Sequence, residues 1–164
     1  MEIFDSSFKQ SPRNYLIQAL LAMVFLSVIL YFVEFLTQAA IVVALGSSTF
    51  IVFAMPRSIT AQPRRLIGGH FVGIIVGAAC YYLLLGGSSS DQGEFATIII
   101  YAFSVGLSLL IMTITNTEHP PAAGTALGLA AYGWSWGTVI FIILCAVGLS
   151  IVRRLLRPFL RDLI

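Results

Sequence analysis

The sequence predicts an all-α integral membrane protein, folded as a compact bundle of about six membrane segments. Of its 164 residues, 59% are apolar and 10% are charged, against roughly 45–50% and 25% in soluble domains. A soluble domain of this size exposes too much surface to hide so many apolar side chains. The net charge is +2 and the basic residues lie in short blocks, which excludes a nucleic-acid-binding face.

Four apolar runs are long enough to cross the hydrocarbon core, which takes about 20 residues. They are residues 15–36, 66–85, 95–114 and 136–156. Two further apolar stretches, 39–55 and 122–132, are shorter. We expect the first to be broken at Gly46, Ser47, Ser48 and Thr49, and the second to cross only if the preceding loop dips in. The prediction is four full helices plus two short, broken or re-entrant ones, in a single transmembrane domain over residues 1–164.

Basic residues near the span ends orient the chain. Residues 1–14, with Lys9 and Arg13, form an expected cytoplasmic N-terminal segment, the block at 57–65 marks a cytoplasmic loop, and 157–164 an expected cytoplasmic tail. We expect the protein in a bacterial-type inner membrane with both chain ends in the cytoplasm. Because the runs 95–114 and 136–156 would then both end on the cytoplasmic side, the stretch 115–135 has to lead the chain back to the outer side. Six segments divided three and three give halves of opposite orientation, as in inverted-repeat transporters. Re-entrant hairpins on a simpler bundle are the alternative.

The irregular stretch before residue 122 predicts a half-helix that begins near Pro120, because proline fits the first helical turn and keeps the preceding residue extended. Free N–H groups and the positive end of the helix dipole would attract an anion. Hydroxyls and amides at residues 46–49 would complete a small polar cage. The expected anion-binding residues are Gly46, Ser47, Ser48, Thr49, His70, Asn116, Thr117, His119, Pro120, Pro121 and Ala122.

Ionisable side chains at membrane depth are costly and usually functional. His119 is expected to donate to an anion when protonated or to relay a proton; a neutral ring bonded to a loop carbonyl is the alternative. For His70, ligand contact and a structural hydrogen bond stay equally open. Arg64 is expected to draw anions to the cytoplasmic mouth, unless it only sets topology, as Arg65 does. Glu118 is expected to pair with an arginine or to face the cytoplasm.

Glycines spaced by four residues predict faces of close helix packing. Gly69, Gly73 and Gly77 form one such face, and Gly124 and Gly128 another. Exposed glycine faces on so thin a bundle also suggest a homodimer.

Three motifs, in this order, resemble the HPP family of integral membrane proteins, which is named for its His-Pro-Pro motif. They are Gly46-Ser47-Ser48 followed by Phe53-Ala54-Met55-Pro56, then Ala61-Gln62-Pro63-Arg64 with Gly68-Gly69-His70, and His119-Pro120-Pro121-Ala122-Ala123-Gly124. The resemblance covers nearly the whole chain and implies membrane transport, with nitrite as the associated substrate. It often implies four spans, where the topology derived above requires six segments.

The expected function is therefore that of a transporter or channel for a small, nitrite-like inorganic anion in the lipid bilayer. The alternative is a non-transporting membrane assembly subunit. We expect no enzyme activity, because the carboxylates are scattered over separate loops and give no acid–base pair. No cofactor and no metal are expected either, since Cys80 and Cys145 lie singly within apolar runs.

Overall fold

A computed structural model of the chain describes residues 11–32, 39–87 and 93–163. Lys9, residues 33–36 of the predicted first span and residue 164 of the predicted tail lie outside the described residues. Within the described ranges the chain forms six α-helices and confirms the predicted all-α bundle. They are α1 (Pro12–Phe32), α2 (Ala39–Ala54), α3 (Pro63–Ala79), α4 (Glu94–Thr115), α5 (Pro121–Tyr132) and α6 (Trp136–Leu156).

The helices fall into long and short classes, much as the apolar runs predict. Three helical stretches of the described chain are long and apolar enough to cross a membrane: Pro63–Leu84, Glu94–Thr115 and Trp136–Leu156. The first joins α3 to a π-helical turn at Cys80–Leu84. Helix α1 has 21 residues, whereas α2 has 16 and α5 only 12. At 1.5 Å per residue α5 is about 18 Å long, short of the roughly 30 Å hydrocarbon core.

Successive helices run in alternating directions. Three hydrogen bonds show which helix ends meet on one side of the bundle. The start of α1 meets the end of α2 through Gln18 Nε2 and Phe53 O at 2.5 Å, and the start of α3 meets the end of α4 through Arg64 Nη2 and Thr115 O at 3.3 Å. The end of α6 lies on the same side, because Arg153 Nε donates to Pro56 O at 2.8 Å. We call this side of the bundle the basic end, because Arg57, Arg64, Arg65 and Arg153 lie there. Helix α5 returns the chain from the basic end to the opposite side, as the predicted topology requires.

Helix α5 packs against both α2 and α3, and glycines make that packing possible. A Cβ added at Gly73 would lie 2.5 Å from Ala122 O, and one added at Gly124 would lie 3.0 Å from the Cβ of Ala44. Gly77 approaches the backbone of Ala126 in the same way. Helix α5 therefore runs parallel to α3 and antiparallel to α2, with backbones in near contact, as the glycine spacing predicts.

The predicted helix break at residues 46–49 is wrong, because α2 is continuous from Ala39 to Ala54. The hydroxyls of Ser47, Ser48 and Thr49 each lie 2.9 Å from the carbonyl oxygen four residues earlier. Such back-bonding lets serine and threonine stay inside a helix, and a single glycine lowers helix propensity without ending a helix that is packed on its neighbours. No exposed amides exist at this point for an anion to contact.

Large apolar side chains cover the outside of the bundle. Phe95 is 78% exposed, Ile114 75% and Leu155 67%, which suits contact with lipid chains and not with water. Inside, Val52, Leu66, Leu149 and Leu160 form part of a buried apolar core near the basic end.

The described part of the predicted tail, residues 157–163, folds back onto the basic end. Leu160 is 2% exposed, and the N–H of Leu163 donates to Ala54 O at 2.8 Å. Gln18, itself 2% exposed, donates to Arg161 O and accepts from Arg161 N–H. This segment thus belongs to the packed core, because its backbone groups satisfy those of α1 and α2.

Candidate functional site

The segment between α4 and α5 starts at the basic end, where Asn116 and Glu118 contact Arg65, and enters the interior of the bundle at His119. Helix α4 ends at Thr115 and is capped by Asn116, whose φ of 57° is the left-handed conformation in which helices often terminate. Helix α5 then begins at Pro121, one residue from the predicted Pro120. Ala122 packs on Gly69, which is six residues into α3, so α5 starts about 9 Å along that helix.

The free amides predicted at the start of α5 are not found. Pro120 and Pro121 have no N–H group, the N–H of Ala122 donates to His119 O at 2.8 Å, and that of Ala123 donates to Pro120 O at 3.1 Å. The two prolines thus remove two N–H donors, and the N–H groups of Ala122 and Ala123 are already used in hydrogen bonds of a tight turn. An anion held by these backbone groups is excluded.

Ser48, His70 and His119 form a buried cluster, and all three are among the residues predicted to bind the ligand. Ser48 Oγ lies 3.0 Å from His70 Nε2 and 2.9 Å from His119 Nε2. The three side chains come from α2, α3 and the segment before α5, and they are 0%, 1% and 0% exposed. The ring centroids of the two histidines are 5.2 Å apart.

Two further groups complete the cluster, and the sequence reasoning missed both. Thr125 Oγ1 on α5 lies 2.8 Å from His70 Nδ1. The carbonyl oxygen of Thr60, in the 3₁₀ turn Ile59–Ala61 before α3, accepts from His119 Nδ1 at 3.0 Å. Thr125 lies on α5, six residues after His119. Its contact with His70 could have been predicted by packing α5 against the glycine face of α3. The contact of the Thr60 carbonyl with His119 could not be predicted, because every residue has a backbone carbonyl and the sequence does not distinguish this one.

A network of arginine contacts holds the segment that carries His119. Arg65 forms an ion pair with Glu118 and donates to Asn116 Oδ1. The predicted pairing of Glu118 with an arginine is therefore present, and the partner is the arginine that the sequence assigned to topology. Arg64, by contrast, is exposed, and among the described residues its side chain bonds only the carbonyl of Thr115.

The remaining predicted residues lie outside the cluster. Ser47 is exposed, and Gly46 has open space where a Cβ would lie. Thr49 bonds only within α2, and Thr117 Oγ1 contacts Thr115 Oγ1 at 2.8 Å. Ala122 is buried against α3. Of the predicted cage between residues 46–49 and 119–124, the structure shows the contact of Ser48 with His119 and a groove that Ser47 shares with Pro120 and Pro121.

Cavities flank the segment on both sides. Between α4 and α5 a cavity of about 280 Å³ is lined by Leu109, Met112, Thr113, Glu118, His119, Pro120 and Ala123. A groove of about 380 Å³ on the α2 side includes Ser47, Pro120, Pro121 and Gly124 in its lining. Either space exceeds the roughly 30 Å³ share of one water molecule many times over. Of the three cluster side chains, His119 lines the first cavity.

Comparison with known proteins assigns a family but no measured activity. A family described as HPP, transmembrane region, matches residues 7–158. Two Dictyostelium discoideum proteins, each named only as a transmembrane protein, are 37% and 35% identical to this chain over 82 residues. The match covers 50% of this chain and 27% and 24% of the two relatives, so it spans about a quarter of their length. No solved structure matches the chain.

Proposed function

Because the chain belongs to the HPP family of transmembrane proteins, and because one of its two buried histidines, His119, lines a cavity between two helices, we propose that it transports a small monovalent anion, with nitrite as the best candidate. The observation that carries the proposal is the position of His119. This ring belongs to a buried polar cluster between helices and also lines the cavity between α4 and α5. Polar, ionisable groups inside the helix bundle of a membrane protein typically mark the path of a polar solute.

The geometry moves the proposed path away from the cage expected from the sequence. The amides of α5 are occupied and α2 is unbroken, so the cavity between α4 and α5 is the better place for the anion. Glu118 also lines it, but the ion pair with Arg65 offsets the negative charge that would otherwise repel the solute. Exposed Arg64 raises the local concentration of anions at the basic end.

A flux measurement in proteoliposomes tests the proposal. Purified protein in lipid vesicles should accelerate nitrite uptake well above the rate of protein-free vesicles of the same lipid. Competition by nitrate, chloride and formate then ranks selectivity, which reflects pore size and the replacement of the ion's water by protein donors. If neither nitrite nor any of these anions moves faster than in the protein-free vesicles, the proposed function is wrong.

The alternative function is that of a non-transporting assembly subunit. It predicts no anion uptake in the same vesicles, and it predicts that an obligate, unrelated partner protein copurifies with the chain. We also propose that the chain is not an enzyme. The homodimer and the cytoplasmic placement of both ends stay predictions. Mass measurement in detergent tests the homodimer, and labelling of cysteines introduced into the basic end tests the orientation.

A further inference from the structure

Arg153, in the last turn of α6, is a buried arginine without an ion pair in the described part of the chain. It is 8% exposed, and its Nε donates to the backbone carbonyl oxygen of Pro56 at 2.8 Å. The one ion pair among the described residues joins Arg65 to Glu118 instead. A buried charge without an opposite charge is costly. An anion from outside the chain would therefore be stabilised beside Arg153.

The guanidinium of Arg153 presents its free side to the surface of the protein. A guanidinium has five N–H donors, and the bond to Pro56 uses the one on Nε. Among the described, non-exposed residues, Thr138 Oγ1 is the one fully buried side-chain N or O atom without a hydrogen bond. The Nη groups of Arg153 bond no described acceptor, so they are accessible from outside. The bond at Nε holds the guanidinium in place and leaves both Nη groups available to one ligand.

The charges around Arg153 favour an anion. Arg157 follows one turn later on the same helix face, and Arg57 directly follows Pro56. Among the described residues, eight arginines lie at the basic end against two carboxylates. One carboxylate is paired with an arginine, and the other, Asp162, accepts the backbone N–H of Arg57 at 2.9 Å. In a trans peptide group this N–H points away from the Pro56 carbonyl. Asp162 and Arg153 therefore contact opposite sides of that peptide group.

Exposed apolar side chains lie next to these arginines. Ile151 and Leu155, two residues to either side of Arg153, are 53% and 67% exposed, and Phe159 in the folded-back segment is 77% exposed. Side chains of this kind at the end of a membrane helix suit contact with lipid chains. The anion that meets arginines and apolar side chains together is the headgroup of a lipid.

We propose that Arg153 binds the phosphate group of an anionic phospholipid at the basic end. Its two Nη groups match two phosphate oxygens in the paired geometry that arginine forms with phosphate. Basic pockets between membrane helices hold anionic headgroups in this way. A zwitterionic headgroup is disfavoured, because Arg57 and Arg157 repel its cation.

Two features separate this site from the general role of arginines in orienting a membrane protein. Exposed arginines orient a chain equally well, whereas Arg153 is buried and its guanidinium is held by Pro56. The negative end of the α6 dipole offsets only part of its charge. Arg153 lines neither cavity beside His119, so the lipid site does not depend on the proposed anion transport.

Native mass spectrometry of the wild-type protein in a mild detergent gives the first test and needs no variant. Phosphatidylglycerol and phosphatidylcholine with the same acyl chains are added separately. We expect phosphatidylglycerol to bind about tenfold more tightly, since each nearby arginine contributes about 1 kcal/mol of attraction to an anionic headgroup. Equal binding of the two lipids would overturn the proposal. Inorganic phosphate, which has no acyl chains, should not displace phosphatidylglycerol at equal concentration. If it does, the ligand is free phosphate and the lipid assignment is wrong.

Arg153→Gln tests the residue. The amide nitrogen of glutamine takes the position of Nε and can still donate to Pro56 O, whereas the charge and both Nη groups are removed. Arg154→Gln is the matched control, because it makes the same change in net charge at the exposed neighbouring position. We expect phosphatidylglycerol affinity to fall at least about tenfold in Arg153→Gln, as for the loss of charge-assisted hydrogen bonds, and about twofold or less in Arg154→Gln. Equal losses would show a diffuse attraction by the basic end and would overturn the site.

Thermal unfolding in detergent gives an independent measurement. A ligand that binds the folded state raises the unfolding midpoint, so phosphatidylglycerol should stabilise the wild type and Arg154→Gln more than it stabilises Arg153→Gln. The midpoint without lipid establishes that each variant is folded. A folded Arg153→Gln protein that phosphatidylglycerol stabilises as much as the wild type would remove Arg153 from lipid binding.

Discussion

Arg65, at the start of α3, forms an ion pair with Glu118, the residue before His119. Its guanidinium also donates to Asn116 Oδ1, so one side chain contacts two residues of the segment between α4 and α5. The side chains of Arg65 and Glu118 are 12% and 35% exposed. Because the pair is partly shielded from water, it contributes more than the near-zero median of fully exposed pairs.

Arg65→Ala should lower the free energy of unfolding by about 1–3 kcal/mol, because two contacts to polar groups are lost and Glu118 is left without its partner. Arg64→Ala should change it by less than about 0.5 kcal/mol, since that side chain is exposed and makes one long contact to a carbonyl. Unfolding midpoints in mixed detergent micelles compare the two variants. Equal midpoints would show that the Arg65 contacts do not stabilise the segment.

Gly73→Ala should separate α3 from α5. The added methyl group would lie 2.5 Å from Ala122 O and 3.2 Å from the Cβ of Thr125, and backbone atoms cannot move aside as a flexible side chain does. We expect a loss of about 1–3 kcal/mol, as in other overpacked cores. Gly106→Ala is the control, because nothing lies within 4 Å of its added Cβ; it should be neutral or slightly stabilising. A Gly73→Ala protein as stable as the control would contradict the close packing.

Much of the fold follows from apolar run length and glycine spacing, for physical reasons. The apolar run at 136–156 has the same first and last residue as α6. Its length and apolar composition are those of one helix that spans the membrane in contact with lipid. The Gly69, Gly73 and Gly77 face is recognisable because only small residues let two backbones approach closely. The predicted break of α2 at residues 46–49 is wrong for a physical reason as well. Serine, threonine and glycine have low helix propensity, but the hydrogen bonds of the hydroxyls to the preceding turn and the packing against α5 keep α2 continuous.

The candidate site is only half readable in the sequence. His70, His119 and Ser48 stand out as polar groups in apolar surroundings, but their meeting depends on three helices and on the depth at which α5 starts. The double proline indicated the start of α5 and misled about its chemistry, because proline also removes the donors that an anion requires. The contact of His119 with the carbonyl of Thr60 arises from tertiary packing alone.

Gln18→Leu should release the folded-back segment at residues 157–163. The Gln18 amide bonds Phe53 O, Arg161 O and Arg161 N–H at 2.5, 2.7 and 3.0 Å, and leucine leaves these backbone groups without partners at a cost of about 1–3 kcal/mol each. Limited trypsin digestion at Arg157 and Arg161 should then be at least about tenfold faster, since 1.4 kcal/mol corresponds to a factor of ten. Gln62→Leu, at an exposed position without a side-chain cap bond, should digest like the wild type. Equal rates for both variants would mean that Gln18 does not hold the segment.

His119→Asn should abolish most transport while keeping the fold. The amide nitrogen of asparagine takes the position of imidazole Nδ1 and can donate to Thr60 O, but asparagine has no group in the position of Nε2, which contacts Ser48. Replacement by alanine is less informative, because it leaves a void in a fully buried position. We expect the initial rate of nitrite uptake to fall at least tenfold relative to the wild type. Gel filtration and the unfolding midpoint establish that the variant is folded. A folded variant that carries nitrite at the wild-type rate would remove His119 from the transport path, and the cavity between α4 and α5 would lose the one cluster residue in its lining.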